Sequence, residues 1–402
     1  MVLNVTTEKL KNLTSLITKG STPTTYGYEF VEQPDSEASF FGAYNCTYEG
    51  EPKLDKRKWI TLEANEMLAR SQLSDKDTIL CIVGNTIGSS FMVESAILPA
   101  NINQNVALIR PIQEKIYPLY LRHIIQSPFL QHQIIQEAST QAQPSLSLKQ
   151  VGDLNIFYPS LPEQQKIAKI LSTWDKAIST TEHLIENSSQ QKKALMQQLL
   201  TGKKRLLDES GQRFEGEWEE VKLKECANSL DNLRVPINSE QRQEMSGDTP
   251  YWGANGIVGY INDYIFDETI VLLAEDGGYF DEFANRPIAN ISYGKSWVNN
   301  HAHVLTAKDN TINEWLYYSL VNKNILAFIN GGTRAKLNKS DMFLIPILIP
   351  PLKEQQKIVT VLTNADKEIE LLEQQLADLQ QEKKALMQVL LTGKKRVVVD
   401  GQ

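Results

Sequence analysis

The sequence predicts an α+β protein: two globular segments of mixed helix and strand, joined by two long antiparallel coiled-coil helices on a pseudo-twofold internal repeat. Three observations carry this expectation. Residues 161–205 recur at 352–396, always 191 positions apart and without a gap, with 25 of 45 paired positions identical. Both copies space their apolar residues in alternating steps of four and three, as a helix with one apolar seam does. Outside the copies, short apolar runs punctuated by Gly, Asn and Asp read as strands between loops.

Taken in order, residues 1–160 form the first globular segment. Apolar runs at 78–83 and 107–110 are its expected strands, and 118–125 an amphipathic stretch. The first helix, 161–205, opens at Pro162, where a missing N–H costs little, and closes at Gly202, suited to a left-handed cap. Its seam runs Ile167, Leu171, Trp174, Ile178, Thr181, Ile185, Ser188, Lys192, Leu195 and Leu199, so the polar Thr181 and Ser188 require partners. Residues 206–351 form the second globular segment, with strands expected at 269–274 and 303–307 and an amphipathic stretch at 314–321. The second helix, 352–396, repeats the design between Pro351 and Gly393 with a more apolar middle, and 397–402 are a tail. Each helix is expected to be about 40 residues and about 60 Å long. Antiparallel pairing would put the globular segments at opposite ends of one rod.

Composition narrows the function. The 402 residues are 41% apolar and 22% charged, ordinary material for a protein of two or more domains. No apolar run reaches the length of a membrane span and Met1 opens no signal peptide, which points to the cytoplasm. Cys46, Cys81 and Cys226 lie far apart, suggesting neither a disulfide framework nor a zinc site. Net charge is −8, divided −3, +4, −9 and 0 over residues 1–160, 161–205, 206–351 and 352–402. A protein that grips DNA alone usually carries a basic footprint, so if this one binds DNA, something else holds the phosphates. Motifs for amino-methyl transfer, dinucleotide binding, a Walker A lysine loop or a nucleophile elbow are all missing.

The two globular segments share a plan but little sequence. Leu146, Leu154, Ile156 and Pro159 meet Leu337, Ile345, Ile347 and Pro350 on the 191-residue register, and little else upstream does. Like scaffolds carrying unlike attachments are what a reader of two different targets requires.

Here the residues carry a resemblance. The L-x-E-Q-Q-K-I entry of each helix, its K-K-A-L-M-Q-x-L-L-T-G-K-K-R exit, the duplicated layout and the segment PYWGANGIVGYINDYIFDE at 250–268 resemble the specificity subunit of a Type I restriction and modification system. The resemblance covers essentially the whole chain. It implies a DNA-binding subunit without catalysis of its own, whose two target recognition domains each read half of a bipartite sequence while the helices set the spacer. It implies docking of two adenine methyltransferase subunits, with two restriction subunits joining for cleavage. No cofactor is then expected on this chain; S-adenosylmethionine, ATP and magnesium belong to the partners. The alternative is a coiled-coil adaptor between proteins, without DNA, and a further one is a methyltransferase too diverged to show its motif.

On that reading the candidate DNA-binding residues of the first domain are Thr24, Thr25, Tyr26, Lys56, Arg57, Lys58, Asn85, Thr86, Gln141 and Gln143. In the second they are Tyr251, Trp252, Asn255, Lys295, Trp297, Arg334 and Lys336. Amides, arginine, lysine and hydroxyls read base edges, while phosphates take any donor. Bland readings stand beside these: Gly84 and Gly88 shape a turn, Lys53 to Lys58 form a solvated surface, Tyr251 and Trp252 belong to the core. His301 and His303 alternate as in a strand and, without carboxylate or cysteine company in the sequence, suggest no metal. On the 191-residue register Gln143 pairs with Arg334 and Ser145 with Lys336, so both loops are expected to hold the same structural place.

Overall fold

The computed structural model describes residues 6–32, 38–138, 143–331 and 335–399. The chain forms two compact units, residues 1–182 with 374–402, and residues 183–373. Each therefore combines one globular segment with part of both long helices.

The strands of the first unit are β1 (Thr7–Lys9), β2 (Thr14–Lys19), β3 (Ala38–Phe41), β4 (Lys58–Ile60), β5 (Thr78–Cys81), β6 (Ser90–Met92), β7 (Ala100–Ile102), β8 (Val106–Pro111) and β9 (Asn155–Phe157). Its larger sheet has the order β2-β8-β5-β6, all antiparallel, and a smaller one the order β4-β3-β7, with β3 parallel to β7. β1 and β9 pair antiparallel beside them. Every residue of β5 is buried, which is why this run reads as continuously apolar instead of alternating. Helix Pro118–Gln126 covers the sheet with Tyr120, Leu121, Ile124 and Ile125, and the Tyr120 hydroxyl donates to the Phe157 carbonyl at 2.7 Å.

The second unit contains β10 (Glu219–Lys222), β11 (Ala227–Ser229), β12 (Ser246–Gly253), β13 (Gly256–Ile261), β14 (Phe266–Asp267), β15 (Ile270–Ala274), β16 (Ala289–Ser292), β17 (Lys295–Val298), β18 (Ala302–Ala307) and β19 (Pro346–Ile349). Its sheets run β11-β18-β15-β16 and β13-β12-β17-β14, with β12 parallel to β17, and β10 pairs with β19. This repeats the first unit's strand plan with β14 added. Helix Asn313–Leu320 takes the covering role, and its Trp315 indole donates to the Leu348 carbonyl at 3.0 Å. Phe157 and Leu348 stand 191 positions apart, so two unlike aromatic side chains satisfy the same backbone acceptor.

The long helices span Leu161–Leu199 and Leu352–Leu390, 39 residues each. The repeated sequence runs six residues further. There Gly202 and Gly393 take φ of +69° and +71°, and the amides of Lys204 and Lys395 cap the carbonyls of Gln198 and Val389. In the first unit Glu163 meets Arg396 and Asp175 meets Lys383; in the second, Glu354 meets Arg205 and Asp366 meets Lys192. One residue number rises as its partner's falls, so the helices pair antiparallel within each unit, and each pair in one is the other's shifted by 191. The polar seam positions find partners: Thr181 bonds back to the Ala177 carbonyl, and the Ser188 hydroxyl donates to Glu368.

Candidate nucleic-acid interface

Strand directions gather the loops of the first unit at one end. In the larger sheet Lys19 stands opposite Ala107 and Cys81 opposite Val106; in the smaller, Phe41 stands beside Ile102. The segments 20–26, 42–57, 82–89 and 103–105 therefore emerge together. Side chains cross-link them: the Thr22 hydroxyl donates to Gln104 at 2.6 Å, and the Tyr48 hydroxyl to the Ile87 carbonyl at 3.1 Å. The segment from Gln143 to Ser145 joins the group, since the Gly84 amide donates to the Pro144 carbonyl at 3.0 Å and Val83 bridges Ser145.

Thr24, Thr25 and Tyr26 lie exposed on the single turn Pro23–Tyr26, closed by Gly27 at φ +84°. Lys56 and Lys58 are exposed; Arg57 is half-buried, its guanidinium 4.4 Å over the Trp59 ring, and the Lys58 ammonium stands 4.5 Å over Phe30. Asn85 and Thr86 are exposed on the 82–89 loop, and Gln143 is exposed beside Gly84. These candidates lie on or next to the segments gathered at this end. Gln141 lies outside the described residues.

In the second unit the same end carries 230–238, 253–256, 275–288 and 299–301. Asp276 bridges Lys336 here as Val83 bridges Ser145 there, so Ser145 and Lys336 occupy matching positions. Asn255 is exposed in the β12–β13 turn, its amide donating to the Gly277 carbonyl at 2.9 Å. Arg334 lies outside the described residues.

The structure sets the aromatic candidates in or against the core, the bland reading given above for Tyr251 and Trp252. Tyr251 is 2% exposed and Trp297 8%, packed together with Ile261, and the Trp297 indole donates to the Val235 carbonyl at 2.6 Å. Trp252 is half-buried against the core around Phe266, its indole held by Ser292. Tyr251 and Trp297, side by side on β12 and β17, pack on one face of their sheet, and Trp252, the next residue of β12, packs on the other against the core around Phe266. Lys295 is also displaced: it is exposed but starts β17, at the end of that sheet away from the 253–256 turn, with its ammonium 4.4 Å over Tyr264.

Sequence reading missed a polar cluster at the same loop end. His303 is buried, its Nε2 2.9 Å from the Leu337 carbonyl oxygen and its Nδ1 2.8 Å from the Asp231 carboxylate. Arg234 reaches Glu275 at 2.6 Å and the Ala302 carbonyl at 2.8 Å, while Lys336 reaches Glu275 at 3.1 Å and His301 meets Asp276 at 2.5 Å. Burial works to raise the carboxyls of Asp231 and Glu275, yet His303 holds the first, and Arg234 with Lys336 the second, below the usual carboxylate range. The histidines thus have carboxylate company that 25 to 72 positions of separation concealed. Among the described residues no group of three or more histidine, cysteine or acidic side chains could hold a metal ion. The sequence signal available was the His-Ala-His alternation, which turns one ring inward.

The family described as the type I restriction modification DNA specificity domain matches residues 48–187 and 215–381. The chain belongs to that family. A Methanocaldococcus jannaschii protein named for the specificity subunit of type I restriction enzyme MjaX is 30% identical over 308 residues, 73% of this chain and 72% of that one. A Haemophilus influenzae protein named for a type I restriction enzyme specificity subunit is 43% identical over 148 residues, 37% of each chain. The crystal structure of the S subunit of a type I restriction-modification system from M. genitalium shares the fold over 97% of both chains, with a TM-score of 0.62 and 15% identity. No helix of the described residues is long and apolar enough to cross a membrane.

Proposed function

We propose that this chain is the non-catalytic, DNA-reading subunit of a type I complex, and that the loop end of each unit reads one half of a bipartite sequence. The observation that carries the reading is one strand plan in both units, mounted on equivalent helix pairs, with unlike side chains at the loop ends. A common plan fixes where reading loops stand; unlike loops make the two halves of the target different. Thr24, Thr25, Asn85, Thr86 and Gln143 supply hydroxyls and amides of the kind that read base edges in one half, and Asn255, Arg334 and Lys336 in the other.

The long helices set the distance between half-sites and offer docking surfaces for two methyltransferase subunits, with two restriction subunits joining for cleavage. S-adenosylmethionine, ATP and magnesium act on those partners.

The test is co-expression of the full chain with a methyltransferase subunit of its own system, followed by purification and genome-wide long-read mapping of methylated adenine. The expected outcome is a complex with two methyltransferase chains per copy and one asymmetric bipartite motif with a methylated adenine in each half. Recovery without a methyltransferase, together with S-adenosylmethionine bound by this chain alone, would overturn it.

A further inference from the structure

The β12–β13 hairpin of the second unit ends in a feature that sequence reading did not use. From Tyr251 to Ile261 it carries no charged residue. At its base Tyr251 and Ile261 are buried, but near its tip Ile257 is 43% exposed and Val258 53%. Neighbouring residues of a strand point to opposite faces, so the tip presents an apolar side chain on each face of the ribbon. Gly253 makes room for this arrangement: a Cβ there would press on Val258 Cγ1 at 3.0 Å. Gly256, at φ +128°, closes the turn, and the Asn255 amide ties it to the neighbouring 275–288 loop through the Gly277 carbonyl. The tip is thus braced, uncharged, apolar and placed at the loop end.

We propose that this hairpin tip enters the major groove and that one of its two apolar side chains, Val258 as the more exposed, reads a thymine by packing on its 5-methyl group. The inference rests on the DNA-reading function proposed above and names a contact within it. Three properties favour this occupant. A two-stranded ribbon matches the roughly 12 Å width of the major groove, whereas the minor groove is about half as wide. A segment without cations gains little from phosphates, so its place on DNA is at the bases. The one apolar group that distinguishes bases in the major groove is the thymine methyl. The Oδ1 of Asn255, two residues before Ile257 and without a hydrogen bond among the described residues, can accept from an adjacent amino group, which gives the tip a polar edge next to its apolar one.

The experiment uses the full chain assembled with its methyltransferase subunits and duplexes of the mapped target in which each thymine is replaced singly by deoxyuridine, which removes only the methyl. The wild-type complex is expected to lose about fourfold in affinity at one thymine, the effect of burying a single methyl. The Ile257→Ala/Val258→Ala complex is expected to be indifferent at that position while keeping its response to the other half-site. Both side chains are exposed, so the melting temperature should stay unchanged. Equal thymine dependence in wild-type and variant overturns the proposal, as does loss of methyltransferase from the variant, which would make the tip a protein contact. A uniform loss on every duplex, with the thymine dependence retained, also overturns it. Absence of any methylated motif removes the function reading instead, a result separable from all of these.

Discussion

Glu163 shows how one residue explains a repeated motif. Its carboxylate is 4% exposed and accepts from Arg396 at 2.8 and 2.5 Å and from the Val397 amide at 3.1 Å. Glu354 is fully buried and accepts from Arg205 at 3.0 and 2.6 Å and from the Trp218 indole at 3.0 Å. The glutamate of each helix entry and the arginine of each exit are thus halves of one clasp, which accounts for their presence in both copies. Removing the cation leaves a buried unpaired charge, which costs more than the intact pair contributes. Arg396→Ala is expected to destabilise the first unit by about 2 to 3 kcal/mol, below the full range for buried pairs because Arg396 is half-exposed. The Glu163→Met/Arg396→Met double variant should regain most of that in thermal unfolding; a double variant as unstable as the single one would disprove the clasp. The Arg396 guanidinium and the Val397 amide hold the Glu163 carboxyl below its ordinary range. Its stabilisation is therefore complete above the unfolded-state value and fades as pH falls through the lower, folded one. The melting-temperature gap between wild type and Arg396→Ala should shrink on acidification.

At the scale of elements, legibility followed the range of the contacts that decide each one. The long helices, the buried run of β5 and the helix over each sheet announce themselves because their periodicity is local. The inward turn of Trp297 was hidden, since it depends on β12 lying beside β17 some 45 positions away, and Gly-Asn punctuation around aromatic residues looks the same in a loop or a hairpin. The helices end three residues before Gly202 and Gly393, the capping glycines expected for them, and the clasp beyond repeats as faithfully as the helix. The loop 82–89 gives an element-level prediction. Gly84 takes φ +105°, and a Cβ there would meet only the Gln143 amide, at 3.7 Å. Gly84→Ala therefore carries a conformational penalty of about 1 kcal/mol without a clash. It should shift the 82–89 loop against Gln143 and relax reading of one half-site, with the other unchanged. Methylation mapping checks this; identical loosening of both halves would refute assignment of the loop to one of them.

For the whole molecule the deciding quantity is charge. The chain carries −8 overall, and the second globular segment is its most acidic part. Among the described residues of that segment's loop end, Arg234 and Lys336 both already hold Glu275. Each cation engaged in this way gains less from a phosphate, since the contact must compete with a carboxylate at hydrogen-bond distance. Base edges remain readable by amides, hydroxyls and apolar tips, because those contacts do not require net positive charge. Reading and gripping are therefore separable, and on the function proposed above gripping would fall to the partner subunits. The isolated chain is expected to bind its target weakly, with a shallow dependence of affinity on salt, whereas the assembled complex should bind tightly and with a steep one. Neutralising six to ten phosphates changes affinity by about 10³ to 10⁵ between 50 and 200 mM salt. Fluorescence anisotropy on the mapped duplex across that range measures both slopes. Sub-micromolar, sequence-specific binding by the chain alone, or equal slopes for chain and complex, would return the grip to this subunit.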